Sequence, residues 1–305
     1  MKAYSVISDF SPKAIQMLEN AGIGVTINSG ERPNEEELID LVQKYDILII
    51  GAKERMTKKV YEKCSQLKIL GTLSIGMDHI CGEFKSSGEI KIVNTPTANV
   101  VSVAEHTYGL ILALNKRFQE SRISVINKTG RNGIVKRPID LYGKTLGIIG
   151  AGKIASKVIE ISRVFGLRVL CYTYHPELHQ ELLSLGVEFV SLNQLLVQSD
   201  IVSVHVALSE QSRHLIGVEE LSIMKSNAVL INTARREIID MDALLAKIKK
   251  DSSFRAGLDI EIEPDHELFN IDSPNVIITP HIAGVSIDAI NRMDPELSEN
   301  ILKNL

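Results

Sequence analysis

Two periodicities alternate along the chain. Short apolar runs rich in β-branched residues, "AYSVIS", "GVTI", "DILIIG", "LKILGTLS" and "IKIVN", lie before residue 95. Amphipathic stretches such as "PKAIQMLENAG" and "NEEELIDLVQKY" separate them. Strand, helix, strand repeated in this way predicts a parallel sheet with helices on both faces. A long helical pattern over about residues 99–126 interrupts the series, and a second series opens with "TLGIIG" at 145–150. It continues through "RVLCYT", "EFVS", "DIVSVHV", "AVLINTA", "RAGLDI" and "VIITP". The pattern predicts two α/β domains joined near residue 97. The last segment, "SIDAINRMDPELSENILKNL", is helical in pattern despite Pro295, lies past the last strand, and is expected to pack back on the first domain. No low-complexity tract or solenoid repeat interrupts this reading.

Composition agrees with two globular domains. The chain has 305 residues, 44% hydrophobic and 24% charged, enough to bury a sizeable core. A net charge of -4 and a pI near 6.1 argue against nucleic acid as a partner, and "KIKK" at 247–250 reads as the solvated end of a helix. Cys64, Cys81 and Cys171 are scattered without CxxC spacing, so neither a metal site nor a disulfide framework is expected, and a reducing cytoplasm fits. No stretch approaches the roughly eighteen apolar residues of a membrane span, and "MKAYSVISDFSPK" lacks the apolar region of a signal peptide.

The second series opens with a strand running into Gly150-Ala151-Gly152-Lys153-Ile154-Ala155 and then the helical pattern "SKVIEISRVFG". This is G-x-G-x-x-A between strand and helix. Gly150 permits the tight turn, Gly152 lets a pyrophosphate approach the backbone, and small Ala155 allows close packing, while free N–H groups at the helix start face the phosphate. Alone, the motif is also compatible with an ordinary strand-to-helix turn. Its place in the α/β series favours nucleotide binding. An acidic residue for the adenosine ribose is expected at the end of the next strand. "RVLCYTYHP" offers Thr173 there instead.

Later strand ends carry three candidate catalytic side chains: Arg235 after "LINTA", Glu263 in "LDIEIEP" and His281 in "ITPHIAG". The carboxyl ends of strands are where open α/β sheets bind ligands. Arg235 has the planar fork that orients a carboxylate. His281 titrates near neutrality and can exchange a hydroxyl proton, and an adjacent Glu263 would favour its protonated form and fix its tautomer. Each has a bland alternative: a surface arginine, a loop-opening Glu-Pro, a capped helix entry. Together they supply anchor, acid/base and orienter, which reduction of a 2-oxo acid requires once a nicotinamide provides the hydride.

At this point the chain resembles the D-isomer-specific 2-hydroxyacid dehydrogenases, which include phosphoglycerate dehydrogenase and the glyoxylate/hydroxypyruvate reductases. "LSIGMDHI", "VNTPTANVVSVAEHT", "LYGKTLGIIGAGKIA", "SDIVSVHVALSEQSRHLIG", "NAVLINTARREIIDMDAL", "AGLDIEIEP" and "TPHIAG" look like the family's blocks in the family's order, from about residue 67 to 290. The resemblance implies two doubly wound parallel-sheet domains: a flavodoxin-like substrate domain over 1–97 plus 286–305, and a Rossmann nucleotide domain over 98–285. It implies Arg235 as carboxylate anchor, His281 as proton donor and Glu263 as its partner. It further implies substrate contacts around Ser74, Ile75 and Gly76, and cofactor contacts at Thr107, Val206, Thr233, Ala234 and Asp259. A homodimer through the nucleotide domain, with the long helix from about residue 99 at the interface, is also implied. Two departures stand out. The interval from Asp259 to the Glu-Pro is one residue shorter than usual in the family, and Arg236 stands where the family commonly has glycine.

The expected activity is interconversion of a small 2-oxo acid and its D-2-hydroxy acid, with NADP or NAD. Thr173 neither binds the ribose diol strongly nor repels a 2′-phosphate, Tyr174 offers a ring to adenine, and His175 can donate to a phosphate, so NADPH is expected to be weakly preferred with NADH usable. A nucleotide-sensing regulatory protein on the same scaffold is the alternative, since fold alone does not establish turnover. A methyltransferase ranks last, because it gives His281 no role. Lys53 and Arg55 in "GAKER" read as a solvated loop, with a polar or phosphorylated acid as the other possibility.

Overall fold

The computed structural model describes residues 1–261 and 263–305. The chain folds as two compact units, residues 1–99 with 285–305, and residues 100–284.

In the first unit five short strands, β1 Lys2–Ser5, β2 Gly24–Ile27, β3 Ile47–Ile50, β4 Ile69–Thr72 and β5 Lys91–Val93, form an all-parallel sheet in the order β2-β1-β3-β4-β5. That is the flavodoxin-like order. Ile47, Leu48, Ile49 and Ile50 are all fully buried, as a central strand covered on both faces requires. The helix Ile287–Leu302 belongs to this unit. Leu297 and Ile301 lie over Gly71 of β4, where an added Cβ would come within 3.3 Å of Ile301, and Ser298 donates to the Ala14 carbonyl at 3.1 Å. Pro295 sits inside the helix, and the neighbouring Asp294 accepts from the Ser11 N–H at 2.8 Å.

The second unit holds seven parallel strands: β6 Thr145–Ile149, β7 Arg168–Tyr172, β8 Val187–Phe189, β9 Ile201–Val204, β10 Val229–Asn232, β11 Arg255–Asp259 and β12 Val276–Thr279. Their order, β12-β11-β10-β9-β6-β7-β8, reverses direction between β6 and β9, the Rossmann switch point at which a dinucleotide binds. The long helical pattern divides here. A helix runs Val100–Asn115, a second Phe118–Ile126, and Arg117 between them has φ +58°. The break follows from where Arg117 goes: its side chain is buried, bonds Asn275 Oδ1 at 2.5 Å, and pairs with Glu120.

Candidate active site

Three strand ends build the nucleotide cradle. After β6, Gly150 has φ +103°, and a Cβ there would meet the His205 carbonyl oxygen at 2.5 Å, so both conformation and space demand glycine. The Gly150 N–H donates to the Tyr172 carbonyl at 2.8 Å. Gly152 then caps the twelve-residue helix Lys153–Val164 without a side-chain partner, and a Cβ on it would meet nothing within 4 Å. The helix start is therefore open to an anion, while buried Ala155 packs against the sheet. Lys153 is exposed and Ile154 half-buried at this entrance. These features fit a dinucleotide pyrophosphate.

Around the cradle the side chains are mostly engaged with one another. The Tyr174 hydroxyl donates to the Gln211 carbonyl at 3.1 Å, and its ring meets Tyr172 edge-on at 5.6 Å. Exposed His175 lies 3.0 Å from Glu177, so an acid stands beside the group expected to greet a 2′-phosphate. Thr173 is half-buried. The His205 ring bonds Ser203 Oγ at 2.8 Å, and burial pulls its pKa down to about 4, leaving it neutral next to Val206. Thr107 Oγ1 donates to the Val103 carbonyl at 2.8 Å and lies 3.2 Å from Thr233 Oγ1.

The end of β10 is shaped by a residue that pattern reading passes over. Asn232 is fully buried; its Oδ1 accepts from the Ala234 N–H at 2.9 Å and its Nδ2 donates to the Arg235 carbonyl at 2.8 Å. This side chain folds "NTAR" into a turn and sets where Arg235 emerges, a role that an Asn just ahead of a turn could have signalled. Arg235 Nη1 donates to the Ala234 carbonyl at 2.9 Å.

His281 follows β12 with φ +54°, a left-handed backbone uncommon outside glycine. Asp259 at the end of β11 holds that backbone: Oδ1 accepts from Thr279 Oγ1 at 2.6 Å and the Ile282 N–H at 2.8 Å, and Oδ2 from the Ala283 N–H at 2.8 Å. His106 completes the network, with Nε2 3.0 Å from Thr279 Oγ1 and 3.8 Å from Asp259. Asp259 is 1% exposed, and its carboxylate serves the histidine loop. His106 and Thr279 were not anticipated; "AEHT" and "TPH" placed them in motif blocks without a role.

Burial lowers the His281 pKa, the Arg235 charge lowers it further, and Asp259 and Glu261 oppose them. Arg235 and His281 are thus within electrostatic reach of each other. Glu263 is placed differently from expectation: its carboxylate pairs with Arg236 Nη1, and the acids that act on His281 are Asp259 and Glu261. The physical reason is local. The shortened segment after Asp259 ends beside an arginine with a full fork to offer. Ile262 lies outside the described residues.

In the first unit Ser74, Ile75 and Gly76 follow β4. Ser74 Oγ donates to the Gly76 carbonyl at 2.7 Å and Asn94 Nδ2 to the Ile75 carbonyl at 2.9 Å, which fixes the loop. Lys53 and Arg55 are exposed, while Glu54 between them is buried against the Gly51 N–H and Arg32. Among the described residues no helix is long and apolar enough to cross a membrane, and no cluster of His, Cys, Asp or Glu could hold a metal ion.

A seven-stranded Rossmann sheet, a glycine turn at its switch point and an arginine and a histidine at later strand ends define an NAD(P)-binding oxidoreductase fold. The profile of the D-isomer specific 2-hydroxyacid dehydrogenase NAD binding domain matches residues 108–283, and the chain belongs to that family. It is 36% identical to D-3-phosphoglycerate dehydrogenase of Methanocaldococcus jannaschii over 96% of this chain, and spans only 55% of that longer protein. With hydroxypyruvate reductase of Thermotoga maritima it shares 34% identity over 91% of this chain and 90% of the relative. Among solved structures, an acyclic imino acid reductase in complex with NADPH and D-Arg superposes with a TM-score of 0.86 at 29% identity, covering 99% of this chain and 96% of that one.

Proposed function

We propose that this chain is an NAD(P)-dependent dehydrogenase interconverting small 2-oxo acids and D-2-hydroxy acids. The observation that carries the reading is that Arg235 and His281 follow the carboxyl ends of β10 and β12 in the same parallel sheet as the glycine turn, with Asp259 of the intervening β11 holding the histidine loop. A bound reduced nicotinamide supplies the hydride. Arg235 holds the substrate carboxylate by its fork, which fixes the carbonyl face presented for reduction. His281 donates the proton to the carbonyl oxygen and takes it back in the oxidative direction. Asp259 and Thr279 hold the His281 backbone, Asp259 and Glu261 support its charged form, and Glu263 is paired with Arg236.

For the cofactor, both NADH and NADPH are used, with NADPH ahead by less than tenfold. Thr173 does not repel a 2′-phosphate, and His175 can turn to it from Glu177. The same Glu177 limits the gain. A homodimer forms through the helix Phe118–Ile126, where Phe118, Ile123, Val125 and Ile126 are all more than half exposed and share one broad side of the helix away from buried Ser124, as on a segment covered by another chain.

The test is cofactor oxidation with glyoxylate, hydroxypyruvate, pyruvate and longer 2-oxo acids. Turnover of at least one acid is expected, with the D enantiomer formed wherever the product is chiral; cofactor binding without turnover of any acid would overturn the assignment. Measuring kcat/KM for both cofactors tests the preference. Thr173→Asp should move the ratio towards NADH, and an advantage of more than about tenfold for NADH in the parent contradicts it.

A further inference from the structure

At the amino edge of the seven-stranded sheet, opposite the cradle, the starts of β6, β9, β10 and β11 surround a cavity of about 180 Å³. Arg255, Lys144, Asp200, Asn115 and Asn227 supply its polar lining. Arg255 is 2% exposed. Its Nη1 donates to Asn115 Oδ1 at 2.8 Å and its Nη2 to the Asn227 carbonyl at 2.7 Å, whereas its buried Nε has no partner. No described carboxylate lies within ion-pair distance of it. Arg117, 3% exposed, adds a second buried positive charge nearby, and burial, followed by the Arg117 charge, brings the Arg255 pKa down to about 10. The local balance is cationic. Arg117, Lys144, Lys225 and Arg255 face Glu120, which pairs with Arg117, and Asp200, which is taken up by Lys225 at 2.8 Å and the Thr145 N–H at 2.9 Å. Asp140, beside the lining residue Ile139, is taken up by Lys116 at 2.5 Å, so five cations against three carboxylates leave a surplus of two.

Buried arginines are otherwise found paired, because an unpaired guanidinium gives up its hydration with no counter-charge in return. Water in the cavity could satisfy the Nε hydrogen; it would leave the charge uncompensated. We propose that this cavity is a binding site for a small doubly charged oxyanion of the phosphate type, accepting from Arg255 Nε and drawn in by Lys144. The site is separate from the chemistry: Arg255 opens the strand that Asp259 closes, so an anion there secures β11 at the end away from the histidine loop.

The experiment is calorimetric titration of inorganic phosphate into the full chain saturated with NADH, so that the glycine turn is already occupied, in the parent and in Arg235→Gln, Lys144→Gln and Arg255→Gln. One phosphate per chain is expected, with affinity unchanged in Arg235→Gln, at least about tenfold weaker in Lys144→Gln, and lost in Arg255→Gln, together with a phosphate-dependent rise in Tm that Lys144→Gln diminishes. Should Arg255→Gln not fold, Lys144→Gln decides the matter. Absence of binding up to tens of millimolar, equal affinity in the parent and Lys144→Gln, or loss only in Arg235→Gln would each overturn the proposal. So would a crystal grown in phosphate that shows a carboxylate of a second copy at Arg255.

Discussion

His281 is held in a left-handed conformation by an aspartate one strand away, and its pKa is lowered by burial first and then by an arginine on the next strand but one. A depressed histidine pKa means that the proton donor for reduction is lost at a pH below the ordinary value of about 6.5, so the falling limb of kcat/KM, which reports the free enzyme, should lie on the acid side of it. A substrate carboxylate on Arg235 neutralises the charge that depresses the imidazole, so the limb in kcat should lie higher. Arg235→Gln should raise the kcat/KM limb as well; an unmoved limb would show that Arg235 does not act on His281. Arg236 has a different place. Arg235→Lys should cost roughly a hundredfold in kcat/KM, about 2.7 kcal/mol of transition-state binding, whereas Arg236→Gly should change it by less than about tenfold because it only releases Glu263. The reverse ranking would exchange their roles.

At the scale of the element, the turn after β6 depends on the strand beside it. The His205 carbonyl closes over Gly150 while the His205 ring stays neutral. Since the folded pKa, about 4, lies below the unfolded value of about 6.5, this group's contribution to stability is complete above pH 6.5 and is lost as pH falls from there to 4, where the unfolded chain binds a proton that the folded chain refuses. Urea unfolding at pH 7 and pH 4.5 should show a smaller acid loss in His205→Gln than in the parent; equal losses would remove the ring from the acid response. Such couplings mark the boundary of what sequence reading reaches. Apolar runs from "DILIIG" to "VIITP" were legible as strands because burial on both faces leaves them mostly apolar, and G-x-G-x-x-A was legible because its chemistry is local. The break at Arg117, the pairing of Glu263 with Arg236 and the capture of Asp259 by the histidine loop were not. Each depends on where a long or buried polar side chain finds a partner distant in sequence.

For the whole molecule, the exposed apolar helix Phe118–Ile126 predicts self-association. Ile126→Asp combined with Val125→Asp should convert a dimer into a monomer in light scattering after gel filtration, with the far-ultraviolet circular dichroism kept. A parent that is monomeric at micromolar concentration would contradict this. The first unit is assembled from two separate stretches of the sequence. Its sheet is made from the first 99 residues, but the helix covering β4 comes from residues 287–302. During synthesis the ribosome therefore delivers the whole nucleotide-binding unit before it delivers the piece that closes the earlier one, leaving the face around Gly71 bare for nearly two hundred residues of elongation. At roughly 5–20 residues per second this is an interval on the order of ten seconds or more, in which the nascent first unit is a natural client for a chaperone.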